Sequence, residues 1–179
     1  SLGDSVDMQE LTTINTPPTD DTFTTATSVQ ATHLGVSQDL LWRSVATSKI
    51  SSCSTAPTTV GSWSVQNTIG DSSVPITSLV ELGSYLYIGK EDGLYATDID
   101  TNAINVMPEV REIVDTKNCH GMWAWHGYLV VPHKGGLYRH VPPSRSRPIR
   151  PENLLDNASP VKGRIEAARG TGKRLYLSL

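Results

Sequence analysis

Two stretches of this chain carry the same alternation of apolar, polar and turn positions. Residues 83–95 read GSYLYIGKEDGLY, and residues 126–138 read HGYLVVPHKGGLY. Aligned on Leu86 and Leu129, both run Tyr-Leu, two large residues, four turn-like positions and Gly-Leu-Tyr, at an offset of 43. A fainter copy lies upstream at Asp39-Leu40-Leu41-Trp42, and another begins at Lys173-Arg174-Leu175-Tyr176-Leu177. In the best-defined copy the pattern predicts strands at 76–82, 85–88, 94–98 and 103–107. Turns fall at Gly83-Ser84, at Lys90-Glu91-Asp92-Gly93 and at Asp100-Thr101-Asn102. Asp-Gly supplies the positive φ that tight hairpins demand. The next copy predicts strands at 121–125, 128–131 and 136–140. Upstream, 31–45 reads as two strands around a Ser37-Gln38-Asp39 turn. The Ser- and Thr-rich stretch 46–60 reads as a long loop, and 61–65 restarts the sheet. Residues 142–160 hold five prolines and read as an exposed insertion rather than a central strand. Strands resume at 165–169 and 175–179.

Short antiparallel strands, four to a repeat, at a period of about 43–46 residues are the signature of a β-propeller blade. The expected fold is therefore all-β, a partial β-propeller with an extended N-terminal arm at 1–30. Its blades lie around 31–75, 76–118, 119–163 and 164–179. About three and a half copies are present, where a ring takes roughly four to eight. The expectation is a piece of a longer polypeptide, or a ring that several chains complete together.

Composition changes this picture at two places. Residues 1–30 contain eleven Ser or Thr and five acidic residues, with no Lys or Arg. Such a segment has too little apolar surface to fold alone. Thr favours extended backbone, so the arm can add a strand to a neighbouring surface. A partner subunit is its expected support, through Thr22, Phe23, Thr24 and Thr25. Charge is also split along the chain. Residues 1–100 hold 3 basic and 12 acidic residues, and residues 101–179 hold 12 basic and 6 acidic. The plain reading is complementary charge on adjacent blades; the alternative is an interaction surface. No run of apolar residues is long enough for a membrane-spanning helix, and no leader is legible.

The stretch GSWSVQNTIGDSSVPITSLVELGSYLYIGKEDGLYATD at 61–98, preceded by ATHLGVSQDLLWRSV, resembles propeller segments of structural proteins of tailed bacteriophages. The resemblance covers about 31–141 and rests on turn chemistry and aliphatic spacing. It implies a non-enzymatic virion component. The badges of other propellers are missing: there is no Gly-His…Trp-Asp pattern and no Asp-box.

Few residues propose themselves for chemistry. Asp98, Asp100, Asn102 and Glu109 trace the outline of a calcium loop, but Ala103 and Asn105 depart from it, and the segment reads as a hairpin turn. His120, His126, His133 and His140 recur every six or seven residues. They are expected to spread across one blade rather than converge on a metal; His133 aligns with Lys90, which reads as a solvent-facing turn position. Gly170-Thr171-Gly172-Lys173 lacks the upstream Gly of a phosphate loop. Cys53 and Cys119 read as two buried free thiols, with a single bridge between neighbouring blades as the alternative. Trp123, Trp125 and Tyr128 could stack on a sugar ring or pack between blades. Arg145, Arg147 and Arg150 read as a solvated loop or a protein contact. No catalytic residue, metal or cofactor is assigned, and no nucleic acid is expected as a partner.

The favoured expectation is a structural protein that offers propeller faces to other subunits of an assembly, with a phage virion or tail as the setting that the resemblance implies. The alternatives are a module binding a host glycan or receptor, and a propeller hydrolase or lyase with its active site in missing blades.

Overall fold

The computed structural model describes residues 6–13, 22–97, 104–106, 114–133, 136–141, 152–153, 167–172 and 174–178. These residues form an all-β structure of three four-stranded antiparallel sheets and two two-stranded hairpins. The first hairpin pairs β1 (Val6–Thr13) with β2 (Thr22–Ala31). The first sheet contains β3 (Leu34–Ser37), β4 (Leu40–Val45), β5 (Lys49–Cys53) and β6 (Asn67–Thr68). The second contains β7 (Ile76–Leu82), β8 (Tyr85–Lys90), β9 (Gly93–Thr97) and β10 (Ile104–Asn105). The third contains β11 (Trp123–Trp125), β12 (Tyr128–His133), β13 (Gly136–His140) and β14 (Glu152–Asn153). A last hairpin joins β15 (Ala167–Thr171) to β16 (Arg174–Ser178). Each four-stranded sheet is a meander with its strands in chain order.

The repeat lies where the spacing placed it. Leu41, Leu86, Leu129 and Leu175 are each the second residue of the second strand in successive units. The hairpin before that strand has a two-residue turn in each unit. Gln38 and Asp39 have φ of 52° and 61°, and His126 and Gly127 have 48° and 81°. Positive φ at both central residues matches the right-handed twist of the flanking strands. Gly83 and Gly172 open the other two turns with φ of 64° and 48°.

The sheets stack in chain order, β3 against β7, β7 against β11 and β11 against β15. The second sheet is therefore buried on both faces. Leu79, Leu86, Ile88 and Tyr95 pack with Trp42 and Ile50 of the first sheet. Tyr87, Leu94 and Ala96 pack with Leu129, Val131 and Met122 on the other side. Close approach is built into the backbone. A Cβ on Gly89 would lie 2.5 Å from the Cβ of Cys119, and one on Gly170 would lie 2.5 Å from the Trp125 ring. No closed ring of sheets is seen among the described residues.

The structure corrects four local expectations. The stretch 46–60 is not one long loop: it contains β5, whose Ile50 is fully buried against Trp42. Residues 61–65 do not restart the sheet. Val60–Ser62 is a short 3-10 turn, and Trp63 is held by its indole N–H donating to the carbonyl of Pro57, 2.9 Å away. Lys90 and His133 are not solvent-facing. The hairpin turns one residue later, so each is the last residue of its strand and is buried. Finally, residues 22–25 pair with residues 9–13 of the same chain. The arm supplies its own strand partner, because two β-prone segments satisfy each other's ladder within one hairpin. Its end also docks on the first sheet: Val29 and Ala31 join Cys53, Trp63 and Leu41 in one cluster.

Candidate functional site

Period-2 alternation puts Trp123, Trp125, Tyr128 and Val130 on one face of the third sheet, because Trp125 pairs with Tyr128 and Trp123 with Val130. The next strand adds Arg139, the partner of Val130. The three candidate aromatics are thus brought together. Trp125 and Tyr128 meet edge to face, with ring centroids 5.8 Å apart. The His126 ring lies 4.7 Å from Trp125.

That face points at the last hairpin, and its ring surfaces are engaged by the chain itself. Gly170 lies against the Trp125 ring. The guanidinium of Arg169 sits 4.6 Å over Trp123, and that of Arg139 sits 5.5 Å over Tyr128. The Trp125 indole donates to the carbonyl of Gly172 at 3.2 Å, and His126 Nε2 donates to the same oxygen at 2.5 Å. Both arginines escaped the sequence reading, and His126 entered it only as one of four regularly spaced histidines. Arg139 and Arg169 lie 30 residues apart in the chain, and only strand register or sheet stacking brings them to the aromatics. The arrangement joins two sheets through cation–π and hydrogen-bond contacts.

A second cluster occupies the opposite end of the strands, at the turn of β8 into β9. Lys90 Nζ donates to the carbonyls of Ile69 at 2.5 Å and Asp71 at 2.6 Å. The ammonium is 5.5 Å from the Tyr95 ring centroid. The Tyr95 hydroxyl donates to Asp92 Oδ2 at 3.1 Å. Burial lowers the Lys90 pKa from its ordinary value, opposed by the nearby Asp92 and Asp71 carboxylates. Asn118 and Cys119 complete the seam: Thr77 donates to the Asn118 carbonyl at 2.8 Å and Ser78 to that of Cys119 at 2.6 Å.

The histidines do not converge. His120 and His126 are exposed, whereas His133 and His140 are buried in the third sheet. His140 meets Tyr87 of the second sheet edge-on at 5.3 Å. Among the described residues neither its ring nitrogens nor the Tyr87 hydroxyl has a hydrogen-bond partner. Desolvation lowers the His140 pKa to about 4 and raises that of Tyr87. His33 is lowered too, by desolvation in the first place, while its Nε2 donates to the Ile76 carbonyl at 3.1 Å.

Both cysteines are free and buried, in agreement with the expectation. Burial pushes the Cys119 thiol up to about 12, so it is protonated and unreactive at neutral pH. No three His, Cys, Asp or Glu side chains gather as metal ligands among the described residues. Nor is any described helix long and apolar enough to cross a membrane. Arg145, Arg147 and Arg150, and the calcium-loop outline Asp98, Asp100, Asn102 and Glu109, lie outside the described residues.

The outer face of the first sheet carries the remaining feature. Leu34 and Val36 are 50% and 57% exposed there. Beside them opens a cleft of about 300 Å³, lined by Val36, Leu40, Leu41, Cys53 and Pro57, with Asp39 contributing a carboxylate. No model of a protein family matches the chain, and no curated protein is similar to it.

Proposed function

We propose that this chain is a non-enzymatic structural element of a larger assembly. In this reading its sheets are successive blades of a β-propeller, and their faces make protein contacts. The setting suggested by the sequence resemblance is a tailed-phage virion. The observation that carries the proposal is the stack itself: sheets join face to face in chain order, and at its end the first sheet keeps Leu34 and Val36 exposed beside the docked Val29 and Ala31. Supporting it, the polar side chains that the fold gathers are spent on seams between neighbouring sheets. Gln38 donates to the Ser84 carbonyl, His126 to Gly172, and Ser78 to Cys119. A catalytic or binding centre instead aims polar groups into a shared cavity.

The glycan alternative is weaker because the candidate platform spends its ring faces on Gly170, Arg169 and Arg139. One experiment separates the readings. Particles are purified from the source on a density gradient, and the chain is quantified by mass spectrometry. The structural reading expects it in fixed stoichiometry with the other particle proteins. Recovery only outside any particle, together with selective glycan-array binding lost in Trp125→Ala, would replace it with the binding-module reading.

A further inference from the structure

The second sheet is covered on both faces, and each seam holds a histidine in a different setting. Towards the first sheet, His33 Nε2 donates to the Ile76 carbonyl at 3.1 Å, a bond that the protonated ring also makes. The nearest titratable group there is His120. Towards the third sheet, His140 is fully buried and meets the Tyr87 ring edge-on at 5.3 Å. Among the described residues its two ring nitrogens have no hydrogen-bond partner, and the Tyr87 hydroxyl has none either. The titratable members of the cluster filling this seam are Tyr85 and Tyr87 of β8, Tyr138 of β13 and Cys119; every other member is aliphatic or methionine. Phenols and thiols carry no negative charge in acid. Arg139, the neighbour of His140 on β13, turns the other way, over Tyr128. Burial alone lowers the His140 pKa, so no carboxylate stands ready to compensate a charged ring.

We propose that His140 is an acid-operated latch: when its ring takes up a proton, the second and third sheets part at their seam while the first and second stay joined. An imidazolium among apolar groups with no acceptor is far costlier than the neutral ring, and it regains hydration only if the seam opens. His33 keeps its carbonyl partner when charged, so acid loosens its seam less. The closed form binds the His140 proton only near pH 4, whereas an opened seam restores the ordinary value of 6.5. Between these values the open form holds the proton and the closed form does not. Lowering the pH from 7.5 to 5 should therefore raise the open population about thirtyfold. The latch is a property of the isolated chain and does not depend on the assembly reading.

The two thiols report on the two places. Cys119 is wedged in the seam, its Cβ against Gly89 and its carbonyl accepting from Ser78, whereas Cys53 lies beyond the first sheet with Val29, Ala31 and Trp63. The test is the rate at which each is modified by dithiodipyridine, a disulfide that exchanges with thiols in mild acid as well as at neutral pH. Mass spectrometry resolves the two sites, and each rate is taken relative to an unstructured cysteine peptide at the same pH. From pH 7.5 to 5 the relative rate of Cys119 should rise about thirtyfold, in step with the open population, while that of Cys53 stays level. His140→Phe should abolish the rise and His33→Gln should keep it, with folding verified by near-ultraviolet circular dichroism. A level Cys119 rate overturns the proposal, and so does a parallel rise at both thiols, which means global unfolding. A rise that survives in folded His140→Phe, or that disappears in folded His33→Gln, overturns it as well. The comparison of the two thiols needs no variant, so the proposal can fail even if His140→Phe does not fold.

Discussion

The second and third sheets are copies of one design solved with different polar residues. At aligned positions Leu86 and Leu129 are both fully buried, and so are Leu94 and Leu137. Where the second sheet has Lys90 and Thr97, the third has His133 and His140, and all four are buried. The aliphatic positions therefore set the fold, while the strand-end positions are interior slots that each sheet fills in its own way. In the second sheet the slot is closed by an ammonium reaching two carbonyls of the chain between β6 and β7. In the third it is closed by imidazole rings packed against Tyr138 and Tyr87. A lysine ammonium is thus exchanged for imidazole rings, of which His140 has its pKa lowered to about 4 by desolvation, and the two sheets should respond differently to acid.

The comparison breaks most sharply at the leucines. Leu86→Ala and Leu129→Ala should each lower stability by about 2–5 kcal/mol, from lost transfer energy plus an unfilled cavity. Equivalent positions demand similar losses in urea denaturation. If one change is nearly silent, the two leucines are not structural equivalents.

Acid should separate the sheets next. The ordinary His pKa of 6.5 falls to about 4 in folded His140. Between these values the unfolded chain binds the proton and the folded chain does not. Stability is therefore full above pH 6.5 and declines as pH falls towards 4, by up to about 3 kcal/mol from this group. His33 acts in the same direction. His140→Phe should flatten most of the decline measured by urea midpoints from pH 7.5 to 4. A variant with the slope of the wild type would show that His140 is not the acid-sensitive slot.

Exchanging the strand-end residues probes the slots directly. Lys90→His shortens the reach to the Ile69 and Asp71 carbonyls and leaves buried acceptors unpaired, a cost of about 1–3 kcal/mol. His133→Lys places a charge in a buried position now filled by an imidazole and should also destabilise. Free interchange, seen as unchanged midpoints for both, would mean that the slots are not individually fitted.

The smallest effect belongs to the turn contacts. Gln38 and His126 both open two-residue turns with positive φ, and both donate to the backbone of the next hairpin turn. Each alanine substitution should cost about 0.5–1.5 kcal/mol. Double-mutant combination should be additive, because the two contacts lie in different seams. Strong coupling would indicate that the seams open together.

How far the sequence could be read follows from the range of each signal. Leu86, Leu129 and Leu175 were legible because strand alternation and turn chemistry are local: Gly83, Asp92-Gly93 and Gly127 act within a few residues of the strands they join. The cluster Trp123, Trp125 and Tyr128 was legible for the same reason, since period 2 and one tight turn place all three on a single face. Its cationic partners Arg139 and Arg169 were not, because register across a sheet and stacking between sheets bring them in from afar. The strand at Lys49–Cys53 was hidden by its Ser-rich composition. Buried serine hydroxyls there are satisfied by non-local carbonyls, as Ser51 is by Ser64 at 2.7 Å.

Alternation along the chain could say which residues share a face, and it determined the repeat, the turns and the all-β class. It could not say which faces are covered. In a stack both faces of a middle sheet lose contact with water, so polarity no longer marks inside from outside. Lys90 and His133 are interior for that reason, although a lysine or histidine beside a turn ordinarily reads as solvent-facing. Only the tertiary arrangement decided that the Trp123–Tyr128 face meets Gly170 and Arg169, and that Leu34 and Val36 remain uncovered. Burial is a property of what stacks on a face, and the stacking partner lies about one repeat away in the chain.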